Sequence, residues 1–248
     1  MLWRDSLQLD GLIRTVRRRL DLLTDYDRRL REKWVRAWAG GLEKGATVLD
    51  AGAGDAHLAK AFRGQQYIAM DIRPRPSRRQ LFCCADLHDI PLGRGSIDHV
   101  VSIQVLEHVK HPQRVFQEVA RVLRPGGSAC FSVPQADPEH EQPFDFFRFT
   151  SFSLSDMARA SGMEVRSIRK KGGYFRRLSA EVRDLPFVVL PEDRPYRAPL
   201  IISAVRALLV ILFTFVGATA LLAFDGLDKN QTYTTGYFCI FDKPSRAS

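Results

Sequence analysis

The residues best suited to chemistry begin at Val48-Leu49-Asp50-Ala51-Gly52-Ala53-Gly54-Asp55-Ala56. An apolar run ends at Asp50, turns through two glycines and passes directly into a helical pattern. Glycine lets a backbone turn sharply and lets a ligand approach without a Cβ in the way. A strand, a tight turn and a helix N-terminus together form a nucleotide cradle. Spacing excludes two versions of it. The dinucleotide fingerprint G-x-G-x-x-G has His57 at its third glycine, and the phosphate loop G-x-x-x-x-G-K-S/T is absent. Downstream, Asp71 and Asp86 each close a short apolar run. His108 follows another, in Leu106-Glu107-His108, and His140, Asp145 and Arg148 lie in a polar stretch at 135–150. An imidazole titrates near neutral pH and serves as a general base. His108, His140 and Asp145 are therefore candidate bases, and Arg148 is a candidate partner for Asp145 or for an anion. Each has a structural alternative. A strand-end Asp also caps helices; His108 can bond structurally beside Glu107; Asp145 and Arg148 can pair to fix their loop, with Thr150 capping the next helix.

Cysteine chemistry is not expected. Cys83, Cys84, Cys130 and Cys239 lie in apolar, strand-like runs, with no C-x-x-C spacing and no Cys/His cluster of zinc type. They predict reduced core thiols in a cytoplasmic protein and no metal site.

The elements that must position these residues follow from periodicity. Leu9, Leu12, Val16, Leu20 and Leu23, continued by Leu30, Trp34 and Trp38, predict helices over residues 5–40. From residue 46 to 134, strands (47–50, 67–70, 81–85, 99–103, 128–133) alternate with helical patterns around Leu58-Ala61-Phe62 and over 115–123. The turn Pro125-Gly126-Gly127 ends the second helix. A helix (153–161), a strand (163–168), a basic Pro-punctuated stretch (169–199), an apolar segment (200–224) and a last strand (232–241) complete the chain. The alternation predicts an α/β fold with a doubly wound, mostly parallel sheet. Ligands of such sheets sit beyond the carboxyl ends of the strands.

On these residues the chain resembles class I S-adenosylmethionine-dependent methyltransferases, in particular the broad small-molecule group. The resemblance covers roughly residues 42–170 and the final strand. The family's D-x-G-x-G-x-G run matches at Asp50, Gly52 and Gly54 and departs at Ala56. The resemblance implies a Rossmann-like sheet with an antiparallel last strand, and S-adenosylmethionine as cofactor. It implies that Asp71 accepts from the ribose hydroxyls and that Asp86 accepts from the adenine amino group. Leu87 would pack on the ring and Gln104 would line the methionine end. Residues 123–127 resemble the turn before strand five, and residues 144–150 a D-x-x-R-F/Y-T run found near the active-site mouth of some relatives. The sequence after strand four, Ser102-Ile103-Gln104-Val105, lacks the D/N-P-P-Y/F run of methyltransferases acting on base amino groups.

The expected organisation is an N-terminal helical extension (1–45), a methyltransferase domain (46–171 and 230–243) and a basic, apolar insertion (172–229). Net charge is +9, with an excess of +4 over residues 1–45 and +6 over 165–206, so the remainder is near neutral. Two basic patches suit an anionic membrane surface or, less well, nucleic acid. Ala207–Phe224 holds no charge. Flanked by Arg176, Arg177, Arg183, Arg194, Arg197 and Arg206, it suits membrane association through 172–229, burial in the core, or an oligomer contact through 200–224. A single crossing would put the last two strands on opposite sides of the membrane. The first apolar residues are broken by Arg4, Asp5 and Asp10, unlike a signal peptide. The expectation is a cytoplasmic protein, peripheral at the inner face of the membrane, methylating an unidentified hydrophobic or lipid-linked acceptor. The alternatives are a non-catalytic cofactor-binding adaptor and an RNA methyltransferase.

Overall fold

A computed structural model describes residues 26–73, 81–189, 205 and 208–245. The expected helices within 1–25 and the Pro-rich stretch after 189 lie outside them. The described chain falls into two compact units: Leu30–Lys171 with Thr235–Ser248, and a second built on Gly172–Thr234.

The first unit is organised by one sheet. Its strands are β1 (Thr47–Ala51), β2 (Gln66–Asp71), β3 (Leu81–Cys84), β4 (Ile97–Ile103), β5 (Leu123–Pro134), β6 (Glu164–Lys170) and β7 (Gly236–Asp242), in the order β3-β2-β1-β4-β5-β7-β6. The first five pair in parallel; β7 runs antiparallel between β5 and β6. The order reverses between β1 and β4, so their carboxyl ends open a crevice there. β1 and β4 are buried along nearly their whole length, as strands covered on both faces must be.

Helices cover both faces because their apolar residues recur at helical spacing. α1 (Tyr26–Ala39) packs Val35 and Trp38 with Phe62 over Val48, Val101 and Cys130. α2 (Pro112–Val122) buries Val115, Phe116, Val119 and Val122 on the other face, where Phe116 stacks on Phe131 at 5.0 Å. α3 (Ser151–Ala160) is capped by Thr150, whose hydroxyl accepts from Ser153 N–H in a capping box.

Three sequence expectations change. Residues 57–62 form a 3-10 turn, not an α-helix. Pro125-Gly126-Gly127 does not separate α2 from β5. The strand already pairs at Leu123↔Ile97, and a register shift absorbs the glycines, with Gly126 at φ +80°. Cys130 and Cys239 are core thiols, but Cys84 is exposed and Cys83 is half-buried, because β3 is an edge strand.

The second unit contains a helix that the basic composition of 169–199 hid. α4 (Tyr174–Val189) pairs with an apolar helix, Leu208–Leu227. Arg176 pairs with Asp225, Phe175 meets Phe224, and Ser179 Oγ–H donates to the Ala218 carbonyl at 2.7 Å. These pairs ascend one helix as they descend the other, so the two are antiparallel. Gly217 and Ala218 admit the close approach of α4; a Cβ at Gly217 would lie 3.2 Å from Val182. The base of this hairpin is polar. Asp225 takes Arg176, and Asp228 accepts from the Tyr174 N–H at 2.7 Å, satisfying a free donor at the start of α4. Toward the other end Leu185, Val188, Val189, Leu208, Ile211 and Leu212 are exposed.

Candidate functional site

The cofactor side is built where β1, β2 and β4 end. Gly52 has φ +87°, and a Cβ there would collide with both methyls of Val105, just beyond β4. Gly54 (φ +55°) and Ala56 (φ +56°) also lie in the left-handed region. At Ala56 the family pattern has glycine. The structure keeps the glycine-like backbone with an alanine in it, at a cost of about 1 kcal/mol. Gln104 is left-handed as well (φ +55°), which aims the chain at the strand end away from the sheet; its amide donates to the Ser132 carbonyl at 3.2 Å.

Asp71 closes β2 beside this turn. One of its oxygens accepts from Gly54 N–H at 2.8 Å and the other from Arg73 N–H at 3.0 Å. Each carboxylate oxygen keeps a second lone pair, so Asp71 can still accept from a diol. Asp50 lies beneath, fully buried, and accepts from the Tyr67 hydroxyl. Burial pushes its carboxyl up to about 7, the Tyr67 bond opposes the rise, and the negative charges of Asp71 and Asp55 add to it. Asp86, after β3, is exposed, with one oxygen held by the His88 backbone N–H (2.9 Å) and ring (2.7 Å). Leu87 is buried in the main core, so its side chain is part of the sheet packing.

The second cluster begins two residues after Val105. Leu106–His108 is a 3-10 turn that buries Glu107 completely. Phe146 N–H donates to the Glu107 carbonyl at 2.8 Å, clamping loop 135–150 onto this turn. The same clamp brings His140 to His108, their rings meeting edge to face at 4.8 Å. His108 Nδ1 lies 2.7 Å from the Phe144 carbonyl, and His140 Nδ1 lies 3.0 Å from the Pro138 carbonyl. A carbonyl only accepts, so in both neutral rings Nδ1 carries the proton and Nε2 the lone pair. Among the described residues, no other residue hydrogen-bonds to either oxygen of the Glu107 carboxylate. Burial pushes it up to about 8; its own backbone N–H opposes the rise, Asp137 adds to it, and Arg148 and Lys171 oppose it.

Asp145 and Arg148 are close by but do other work. Arg148 grips both Asp145 oxygens at 2.7 Å and spends its remaining donors on the carbonyls of Asp137, Pro138 and Phe147. All five guanidinium N–H groups are used, leaving none for an anion. The guanidinium holds Asp145 well below the usual carboxylate range. That makes Asp145 a poor base, so the structure favours the loop-fixing alternative over proton transfer for this pair. Asp145 also accepts from His140 N–H at 2.9 Å and so orients that loop.

Residues 49–131 match the family model described as a methyltransferase domain. An uncharacterised methyltransferase of Mycolicibacterium gilvum is 36% identical over 108 residues, which is 39% of this chain and 42% of that protein. Within the sheet unit, this segment is similar to a methyltransferase domain. Among solved structures, the 1,6-didemethyltoxoflavin-N1-methyltransferase of Burkholderia thailandensis, with S-adenosylhomocysteine bound, has a TM-score of 0.53 at 15% identity. That likeness covers 98% of this chain and 89% of the other. Phosphoethanolamine N-methyltransferase 2 of Haemonchus contortus, with S-adenosyl-L-methionine bound, has a TM-score of 0.52 at 14% identity, over 86% and 52%. At these identities the likeness concerns the fold. The chain spans less than half the length of the curated relatives it matches first.

The cofactor that the sequence resemblance implies is S-adenosylmethionine. The residues present fit it. Gly54 leaves an open backbone, and Asp71 beside it keeps lone pairs for a diol. Sequence reasoning missed Glu107 as a functional group and treated it only as a neighbour of His108. The signal was there, a carboxylate enclosed in an apolar run, but its burial depends on a loop that begins nearly thirty residues later.

Proposed function

We propose that this protein transfers the methyl group of S-adenosylmethionine to a hydrophobic or lipid-linked acceptor at an anionic membrane surface. The observation that carries the transfer is the Asp71–Gly54 hydrogen bond at the carboxyl edge of the sheet, inside the segment matched by the methyltransferase model. The donor needs only binding and alignment. An acceptor electron pair attacks the methyl carbon as the carbon–sulfur bond breaks, S-adenosylhomocysteine leaves, and any acceptor proton is released. Holding the two reactants in line accounts for most of the rate. The acceptor end is formed by Glu107, His108 and His140. These groups supply electron pairs and no fixed positive charge, so they suit a proton or a cation rather than an anionic group.

The membrane reading rests on the hairpin. Leu208–Leu227 is long and apolar enough to cross a bilayer, and only 12% of it is buried in the protein. Yet β6 and β7, which flank the insertion, pair in one sheet, so the chain must return to the side it left. α4 spans roughly 24 Å and carries Arg176, Arg177 and Arg183, too short and too charged for a 30 Å hydrocarbon core. An antiparallel helix pair lying in the interface on its exposed Leu185, Val188, Val189, Leu208, Ile211 and Leu212 keeps both ends on one face. Arg194, Arg197 and Arg206, in the sequence between the two helices, would meet anionic headgroups. Localisation follows as peripheral, at the cytoplasmic face.

Titration calorimetry with S-adenosylmethionine tests the first part; no binding at about millimolar cofactor overturns it. Flotation with phosphatidylglycerol vesicles tests the second. Leu212→Asp and Ile211→Asp together should abolish flotation while cofactor binding stays intact; unchanged flotation overturns the hairpin reading.

A further inference from the structure

We propose that Glu107, His108 and His140 form a binding site for one divalent transition-metal ion of the zinc, iron(II) or manganese(II) type, beside the methyl acceptor. Among the described residues, one ligand atom from each of these three lies within 4.8 Å of the others. The His108 Nε2 is 4.0 Å from the Glu107 carboxylate. Ligands of a tetrahedral site stand roughly 3.4 Å apart, so the donor atoms would draw together by up to about an ångström as the ion binds.

Three observations point to a cation rather than to a chance cluster. First, the Glu107 carboxylate is wholly buried, and among the described residues no other residue hydrogen-bonds to either oxygen. Such a group is costly unless something binds it. Second, both imidazoles have Nδ1–H held by a backbone carbonyl, Phe144 for His108 and Pro138 for His140. A backbone carbonyl on the far nitrogen fixes the tautomer and ring orientation that a metal ligand needs. Third, His140 is anchored at its backbone by Asp145, which Arg148 locks in turn. The loop thus fixes one ligand against the other two.

Two imidazoles and one carboxylate select transition metals over calcium or magnesium, which prefer oxygen ligands. Three protein ligands leave coordination positions open, as catalytic sites do. Given the methyl-transfer reading, the ion would bind an acceptor hydroxyl and lower its pKa. The acceptor oxygen then attacks the methyl carbon, the carbon–sulfur bond breaks to give S-adenosylhomocysteine, and the proton passes to solvent. The substrate class narrows to acceptors presenting an oxygen nucleophile. Metal binding itself does not depend on that reading.

The test uses the tag-free full chain, stripped with chelator and titrated with zinc chloride, then with cobalt(II) chloride as a spectroscopic probe. The expected result is one equivalent bound and a cobalt visible spectrum of a site with nitrogen and oxygen ligands. His140→Ala alters a partly exposed loop residue, and Glu107→Gln keeps the buried shape. Each should weaken zinc binding by roughly a hundredfold or more, with S-adenosylmethionine affinity unchanged. Equal zinc binding by wild type and both variants overturns the metal site. Loss of cofactor binding with zinc retained overturns the methyltransferase reading and leaves the metal site standing.

Discussion

The glycine turn, proposed to hold the cofactor, and the Glu107–His108–His140 cluster, proposed to face the acceptor, are built in opposite ways. Asp50, Gly52 and Gly54 come from one nine-residue run, and Asp71 reaches them across neighbouring strands paired in register. Glu107 and His108 meet His140 through a loop stitched by Arg148. The cofactor end depends on backbone shape, where a single Cβ matters. The acceptor end depends on side-chain hydrogen bonds, where geometry is tunable. A common donor with varied acceptors calls for that division.

The largest effect should come from breaking the backbone-built end. Gly52→Ala adds a Cβ into Val105 and forces φ +87° on a residue that resists it. It should cost about 2–4 kcal/mol in urea unfolding and remove detectable cofactor binding. Asp71→Ala removes the acceptor that ties down Gly54 N–H together with those offered to a diol; cofactor affinity by calorimetry should fall about tenfold or more.

Arg148→Ala attacks the other end. It should lower turnover about 10–100-fold, through loss of positioning, while cofactor affinity changes little. Equal losses in both quantities would erase the contrast between the two ends.

A pH series sharpens the comparison within the cofactor end. Without ligand, the folded protein holds a proton on Asp50 up to about pH 7, whereas the unfolded chain releases it near pH 4. Stability should therefore fall as pH rises from about 4 to about 7. A cationic ligand favours the ionised carboxylate, so cofactor affinity should rise over the same upper range, through pH 7. Asp50→Asn should flatten the affinity profile and make the stability slope shallower, leaving the share from Glu107, whose carboxyl is also raised, to about 8. The smallest effect is expected from Ala56→Gly, which relieves a left-handed alanine. It should stabilise by about 0.5–1 kcal/mol in thermal unfolding and leave cofactor affinity as it was.

Much of the fold was legible because the sheet is covered on both faces. That writes strands such as Ile97–Ile103 as apolar runs and helices such as Pro112–Val122 as stripes. Residues 57–62 misled because short 3-10 turns share the apolar spacing of an α-helix. α4 was hidden because its arginines are satisfied by Asp225, Glu181 and Asp184, which makes a basic stretch into an ordered helix.

The sequence by itself determined the α/β order, the glycine turn and the carboxylates that close the strands. Local backbone rules act over a few residues and leave their mark in the residues themselves. Tertiary structure alone decided that Asp145 serves Arg148 and the loop, that Glu107 is sealed without a hydrogen-bond partner among the other described residues, and that His140 stands beside His108. Those outcomes depend on which donors and acceptors remain unmatched once distant segments pack together, and no spacing along the chain encodes that remainder.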